Sequence, residues 1–205
     1  MNDRERNDLI ISWFTVSFAF AWIGLKVFSI GGAGEFLSQL AIMLVAVGTG
    51  FILHELAHKY VAIHYGAHAE FRAWRIGLLL ALGLAVISNG GFVFAAPGAV
   101  YVVGNNIGVR KNGIISLAGP VANLLIVLVF GLAFAAMNPS GFAEQAMLAT
   151  MYVNFFLAAF NMLPIFPLDG SKVFYWSKLA WFATIAIAAA GVLLFPIIVA
   201  VLKVV

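Results

Sequence analysis

Long apolar segments are the feature of this sequence that most constrains its fold. A membrane-spanning helix needs about 20 predominantly apolar residues. Five segments reach that length, and they lie near residues 9–30, 37–63, 113–136, 144–164 and 179–202. Charged residues make up only 9% of the chain, whereas soluble domains are about a quarter charged. The sequence therefore predicts a single all-α polytopic membrane domain over residues 1–205, with about five transmembrane helices.

The distribution of basic residues predicts the orientation of these segments. With a cytoplasmic N-terminus, and with the apolar stretch 76–103 not crossing, nine of the 11 lysines and arginines fall at the inner face. Only Lys26 and Lys203 fall outside. This is the positive-inside pattern of membrane proteins. The net charge of +3 is therefore read as a topology signal, and no nucleic-acid partner is expected.

The second apolar segment carries the residues with the clearest chemistry, His54-Glu55-Leu56-Ala57-His58. Positions i and i+4 share one helix face, so both imidazoles can reach one metal ion. This is the HExxH pattern of zinc hydrolases, in which Glu55 would be the general base for the attacking water. Ionisable groups are costly inside a membrane, and three within five positions favour catalysis over a chance occurrence.

Catalytic zinc usually has three protein ligands, and Asp169 is the favoured third one. The chain contains no cysteine, so the ligand must be another His, Asp or Glu. Asp169 ends the string NMLPIFPLD at the end of the fourth segment. Two prolines break the helix there, and Gly170 permits a tight turn, so the carboxylate can turn back toward the histidines. The alternative is a simple Asp-Gly turn at the membrane edge.

The remaining acids and histidines are less suitable as ligands. The N-terminal tail contains Asp3, Glu5 and Asp8, and the opposite membrane face contains Glu35 and Glu144. A surface ion pair with Arg72 is the expected role of Glu70, and the membrane interface is the expected location of His64 and His68.

The apolar stretch 76–103 is predicted to be re-entrant. Its first part, IGLLLALGLAVIS, has 13 residues and is short for a span. Two runs rich in Val, Phe and Tyr then flank Pro97-Gly98, a turn dipeptide, which predicts a β-hairpin. The second and fourth segments must also run in the same direction if their C-terminal ends share one ion, so an odd number of crossings separates them. The alternative is an ordinary span at 76–94 followed by a loop.

Three motifs together resemble the site-2 protease family of intramembrane zinc metalloproteases. They are HELAH at 54–58, AGPVAN at 118–123 and NMLPIFPLDG at 161–170, and their order and spacing agree over about residues 37–178. The resemblance implies one Zn²⁺ bound by His54, His58 and Asp169, with Glu55 catalytic. It implies that Asn161 lies near the zinc, and that Asn123 positions the substrate or a neighbouring loop. The chain would be a compact member without a PDZ or CBS domain.

The resemblance also implies the activity and its setting. We expect hydrolysis of peptide bonds in transmembrane protein substrates, within or near the bilayer of a prokaryotic cell membrane, with the active site toward the cytoplasm. The AGPVAN spacing of Gly119 and Asn123 has a simpler interpretation as helix packing.

Two other functions are compatible with some of these features. A metal-ion transporter or channel could use His54, His58 and Asp169 as a transit site, but conduction needs polar groups along the whole path, and the first and last segments contain no acid or histidine. An inactive relative would bind partners without cutting, and the intact Glu55 argues against it.

Overall fold

The computed structural model describes residues 1–27, 33–88, 97–104 and 107–203, and these are mostly helical. The first half contains α1 (Asp3–Val27), α2 (Ala33–Val47), a π-helical turn (Gly48–Ile52), α3 (Leu53–His64), β1 (His68–Ala73), α4 (Arg75–Ile87) and β2 (Gly98–Val103). The second half contains α5 (Val109–Met137), α6 (Gly141–Asn161), α7 (Asp169–Trp176), α8 (Lys178–Leu193) and α9 (Phe195–Leu202).

Two helices in the described ranges are long and apolar enough to cross a membrane. One is the continuous helix Gly34–His64, made of α2, the π-helical turn and α3, and the other is α5. The pair α8 and α9 meets the same criteria jointly but is bent by 70°, so it adds a third span if it is counted as one. The predicted segments 9–30 and 144–164 lie largely on α1 and α6, and the total of five spans stays a prediction.

The two strands form an antiparallel sheet, and its register brings together the two ends of the stretch that was predicted to be re-entrant. His68 pairs with Val103, and Ala73 pairs with Gly98. The Trp74 N–H also donates to the Pro97 carbonyl at 2.8 Å. The chain therefore leaves the sheet after Ala73 and returns to the same place at Pro97. Helix α4, which lies between, has 13 residues.

The sheet differs from the predicted hairpin in its partner strand. The described partner of β2 is β1, which was not predicted as a strand, while the other predicted hairpin run, residues 92–96, lies outside the described residues. Gly98 was predicted to form a turn, but it is the first residue of β2. A Cβ there would clash with the Arg72 carbonyl oxygen and lie 2.5 Å from Phe71 Cζ. The glycine is needed for close strand approach, so the turn assignment is corrected.

Helix α1 is fastened to both α3 and β1 through Glu5. The Lys59 Nζ donates to both carboxylate oxygens at 2.6 Å, and the Phe71 N–H donates to Oε1 at 3.1 Å. Glu5 is 1% exposed. Glu5 was predicted to lie in the N-terminal tail, and that prediction is wrong because α1 begins at Asp3 and packs its first turn against the sheet.

The main apolar core lies where α1, α2 and α6 meet the π-helical turn. Its side chains come from helices that are distant in sequence, so this core fixes the position of α3 relative to α6. The most completely buried members include Val16, Ala19, Ile42, Val47, Phe51, Phe71, Val153 and Leu157.

Candidate metal centre

The HExxH residues lie on α3, directly after the π-helical turn. π-Helical turns are often found at functional sites. Two glycines in this turn allow close packing, because a Cβ at Gly48 would lie 2.9 Å from Trp13 Nε1 and a Cβ at Gly50 would lie 2.9 Å from Leu157 Cδ1. The turn is thus held against α1 and α6, and α3 presents its histidines to α5.

Three potential ligand atoms meet at this face of α3. Asp169 Oδ2 lies 3.3 Å from His54 Nε2 and 3.0 Å from His58 Nε2, and all three atoms are within 4.8 Å of one another. Ligands about 2.0–2.1 Å from a tetrahedral zinc ion are about 3.3 Å apart. The set has the composition and spacing of a catalytic zinc site, and the structure brings together the three residues that the sequence analysis selected.

Asp169 reaches the histidines because α7 begins close to the end of α6. Asp169 is the first residue of α7, and a Cβ at Gly170 would clash with the Met162 carbonyl. Gly170 was predicted from the sequence to permit a tight turn. In the structure its role is close contact between two chain segments, which positions the preceding carboxylate.

Helix α5 supports both imidazoles with residues spaced four apart. His58 Nδ1 lies 2.7 Å from the Ile115 carbonyl oxygen, and since a carbonyl can only accept, this nitrogen carries the proton. His54 Nδ1 lies 2.6 Å from Asn123 Oδ1. Between them, a Cβ at Gly119 would lie 2.5 Å from His54 Nε2 and would also clash with His58 Nε2. Gly119 therefore makes room for the metal centre itself, which goes beyond the helix-packing interpretation.

Glu55 is buried beside this cluster with one oxygen unused. Its side chain is 8% exposed in all, and Oε2 has no hydrogen-bond partner within the described ranges. Because Glu55 also lines a cavity, this oxygen is available to accept a hydrogen bond from a water molecule or a ligand. On the other side of the cluster, Lys172 Nζ lies 3.4 Å from Asp169 Oδ1, the carboxylate oxygen that faces away from the histidines.

A cavity of about 540 Å³ opens onto the cluster. Its walls include Glu55, His58, Asp169 and Lys172, together with residues 97–102 of the β2 region and residues 166–168 of the loop before α7. The cavity therefore brings the chemically important side chains together with a β-strand.

The two asparagines selected from the sequence have different positions. Asn161 lines the cavity, and its Nδ2 donates to the Leu157 carbonyl at 3.0 Å. Asn123 is fully buried and lies behind His54. Asn154 was not among the site residues selected from the sequence, and in the structure it accepts a hydrogen bond from Asn123 at 2.8 Å. Its only sequence signal was a polar residue in an apolar helix, two turns before Asn161.

Comparison with known proteins gives relatives of one kind. Three carry the name "putative zinc metalloprotease". MJ0611 of Methanocaldococcus jannaschii is 38% identical over 194 residues, which is 95% of both chains. Rip2 of Mycolicibacterium smegmatis is 31% identical over 79% of this chain and 66% of its own. YwhC of Bacillus subtilis is 29% identical over 67% of this chain and 69% of its own.

Two other comparisons give no match: no family model matches the chain, and no solved structure does. The relatives and the ligand cluster both indicate zinc as the cofactor. The chain therefore belongs to the zinc metalloprotease family of these relatives, which is the site-2 protease family that its sequence motifs resemble.

Proposed function

We propose that this protein is an intramembrane zinc metalloprotease that hydrolyses peptide bonds of transmembrane protein substrates. His54, His58 and Asp169 are the zinc ligands, and Glu55 is the general base. The observation that carries this proposal is that Glu55 Oε2, which has no hydrogen-bond partner among the described residues, lies beside three converging ligand atoms. Glu55 and the two histidines lie on a helix apolar enough to cross a membrane, and Asp169 joins them from α7.

The side chains of the cavity divide the chemistry between them. When bound, zinc supplies the Lewis acidity that activates water for attack on a carbonyl. Glu55 takes the proton of the attacking water and passes it to the leaving amine. Asn161 uses one amide hydrogen on the Leu157 carbonyl, and its second hydrogen can support the developing oxyanion.

A transmembrane substrate must lose its helical hydrogen bonds before it can be cut, because its peptide groups are paired i to i−4. Strand β2 suits the unwound segment. It borders the cavity, and within the described residues β1 is its single paired strand. We propose that the substrate adds to β2 as a further strand, held by its main chain.

The sheet register supports an active site on the cytoplasmic side. Because Ala73 and Gly98 are paired, the stretch between them begins and ends at one place, as a re-entrant segment does. Helix α5 is then the one crossing between the second and fourth predicted segments, and the HExxH and Asp169 ends meet on the side that carries Arg110 and Lys111.

Substitution of the general base tests the activity. Glu55→Gln should keep about one zinc per chain but reduce cleavage by about 10²- to 10⁴-fold, the usual contribution of general acid–base catalysis. The measurement is cleavage of single-span membrane proteins, tagged at both ends and reconstituted with the enzyme in liposomes. Glu144→Gln is the control, since Glu144 pairs with Lys203, away from the cluster. Cleavage that persists at the wild-type rate in Glu55→Gln would contradict the assignment.

Cysteine labelling tests the orientation. Gly108→Cys lies before α5, at an exposed position with open space around its Cβ, and Ser140→Cys lies in the exposed turn after α5. The chain has no cysteine of its own. We expect an impermeant thiol reagent to label Gly108→Cys from the cytoplasmic side and Ser140→Cys from the opposite side. Labelling of both from one side would show that α5 does not cross.

A further inference from the structure

Two fully buried asparagines connect helix α6 to the candidate metal centre. Asn123 lies on α5 and Asn154 lies on α6, and each is 0% exposed. Buried amide groups are costly unless they are hydrogen-bonded. Here the two amides form hydrogen bonds to each other, to two backbone carbonyls and to His54. The pair therefore forms a continuous hydrogen-bond network that ends at a proposed zinc ligand.

Two backbone carbonyls determine which atom donates and which accepts in each hydrogen bond of this network. The Thr150 carbonyl accepts from Asn154 Nδ2 at 2.8 Å, which leaves Asn154 Oδ1 to face Asn123. Asn123 Nδ2 donates to Asn154 Oδ1 at 2.8 Å and to the Gly50 carbonyl at 2.9 Å. Both amide hydrogens of Asn123 are then used.

The consequence reaches His54. With both amide hydrogens committed, Asn123 presents Oδ1 to His54 Nδ1 at 2.6 Å. An amide oxygen only accepts, so His54 must carry its proton on Nδ1, and its Nε2 lone pair is free on the side of Asp169. A metal-bound histidine needs this tautomer, and the partner of its other nitrogen commonly fixes it.

The π-helical turn is part of the same unit. Gly50 supplies the carbonyl that accepts from Asn123, and a Cβ at Gly50 would lie 3.3 Å from both amide atoms of Asn154. A side chain at position 50 would push against the Asn154 amide, whose orientation determines the donors and acceptors of the network.

His58 provides an internal contrast. Its Nδ1 is held by the Ile115 backbone carbonyl, which no substitution of a side chain removes. His54, in contrast, depends on side chains from two other helices. We propose that Asn154 is a positioning residue, which acts through Asn123 to hold His54 in its metal-binding tautomer and so sets the affinity of the site for zinc. This inference rests on the proposed role of His54 as a ligand.

Zinc affinity, measured by competition with a chelator on the purified full-length protein, tests the inference without using activity. Asn123→Leu should weaken zinc binding by about 10- to 100-fold, as expected for a residue that orients a ligand. Asn154→Leu should weaken it by about 3- to 10-fold, the scale of one net hydrogen bond. The double variant should be no weaker than Asn123→Leu alone, because residues that act through one another are not additive.

Two further variants exclude a merely structural effect. Thr150→Val removes a buried hydroxyl one turn away but keeps the carbonyl that accepts from Asn154, so zinc affinity should stay at the wild-type value. The visible absorption of bound Co²⁺ should change in Asn154→Leu and not in Thr150→Val. If Asn154→Leu does not fold, Asn154→Ala, which adds no atoms, has the same expectation.

The outcomes separate this inference from the proposed function. His54→Ala should abolish tight zinc binding, and if it does not, the ligand assignment itself is wrong. If His54→Ala loses zinc while Asn154→Leu binds as the wild type does, or while the two leucine substitutions are fully additive, the positioning role is overturned and the ligand assignment stands.

Discussion

Two buried polar clusters lie next to each other on α3, one through His58 and the other through Lys59. In the Lys59 cluster, both Glu5 oxygens bind the ammonium, and one also accepts the Phe71 N–H. In the His58 cluster, Glu55 Oε2 has no hydrogen-bond partner in the described part of the chain, and three atoms that can donate electron pairs face one another.

The difference between these clusters separates a structural group from a reactive one. An ion pair in which both carboxylate oxygens are hydrogen-bonded to the ammonium holds elements in place and leaves no carboxylate oxygen free for a ligand. In the His58 cluster, three ligand atoms lie close enough together to bind one ion, and Lys172 approaches Asp169 at the other carboxylate oxygen. One Glu55 oxygen also stays without a partner among the described residues. Chemistry is therefore expected on one side of α3 and mechanical attachment to α1 on the other.

The contrast between the His58 and Lys59 clusters predicts that substitution of Asp169 has the largest effect on zinc binding. Asp169→Ala should weaken zinc binding by more than about 100-fold, which exceeds the effect of residues that only orient a ligand, and cleavage should be lost with the metal. Metal analysis of the purified protein is the measurement. Asp8→Asn, which changes an acid outside both clusters, should retain zinc. Full zinc occupancy in Asp169→Ala would remove this residue from the ligand set.

A stability effect without a metal effect is expected at Glu5. Glu5→Gln removes the negative charge that balances the mostly buried Lys59 ammonium, and should lower the free energy of unfolding by about 3 kcal/mol. Asp8→Asn is the matched control, because the Asp8 carboxylate lies 3.7 Å from Arg72 at a partly exposed position, and such pairs contribute less than about 1 kcal/mol. Loss of zinc in Glu5→Gln at temperatures where the protein is folded would show that the two clusters are not separate.

The same ion pair predicts a pH dependence. Burial alone raises the pKa of the Glu5 carboxyl, but the Lys59 ammonium and the Phe71 N–H outweigh it, and the pKa lies below its usual value of 4.5. A lowered pKa in the folded state stabilises the protein above the usual value, and this stability is lost as the pH falls. The unfolding free energies of wild type and Glu5→Gln should therefore converge below pH 4.5. A constant difference down to pH 3 would contradict the assignment.

The smallest expected effect on the chemistry is at Asn161. Asn161→Ala should keep its zinc and lose turnover by about 10²-fold, the scale of one oxyanion donor. Thr184→Ala is a suitable control, since the Thr184 hydroxyl also bonds within its own helix, to the Ala180 carbonyl at 2.9 Å, but lies outside the cavity walls. Unchanged turnover in Asn161→Ala would make this asparagine a packing residue.

The parts that the sequence predicts well are those set by local spacing. His54 and His58 share a helix face through i,i+4 spacing alone, and the two prolines before Asp169 mark the break that precedes α7. Strand β1 was missed although HAEFRA alternates polar and apolar residues, because two of its three apolar residues are alanines, which do not favour strands. Its pairing also comes from residues about thirty positions later. The partners of Glu5 and Asn154 were not predicted for a related reason, since they lie on other elements and no sequence spacing predicts those contacts.

Because Ala73 pairs with Gly98, sequence changes between these two residues are expected to have different consequences from changes elsewhere in the protein. The residues between them start and finish at a fixed base, so their number can change while β2 keeps its place beside the candidate metal centre, even though α4 contributes Ala85 to the main core. We expect insertions in that interval to be tolerated more readily than insertions in α3, α5 or α7, each of which would displace a proposed ligand or its support. Among related proteins, we expect the sequence differences that change substrate choice to lie mostly within this interval, and the sequence outside it to vary less.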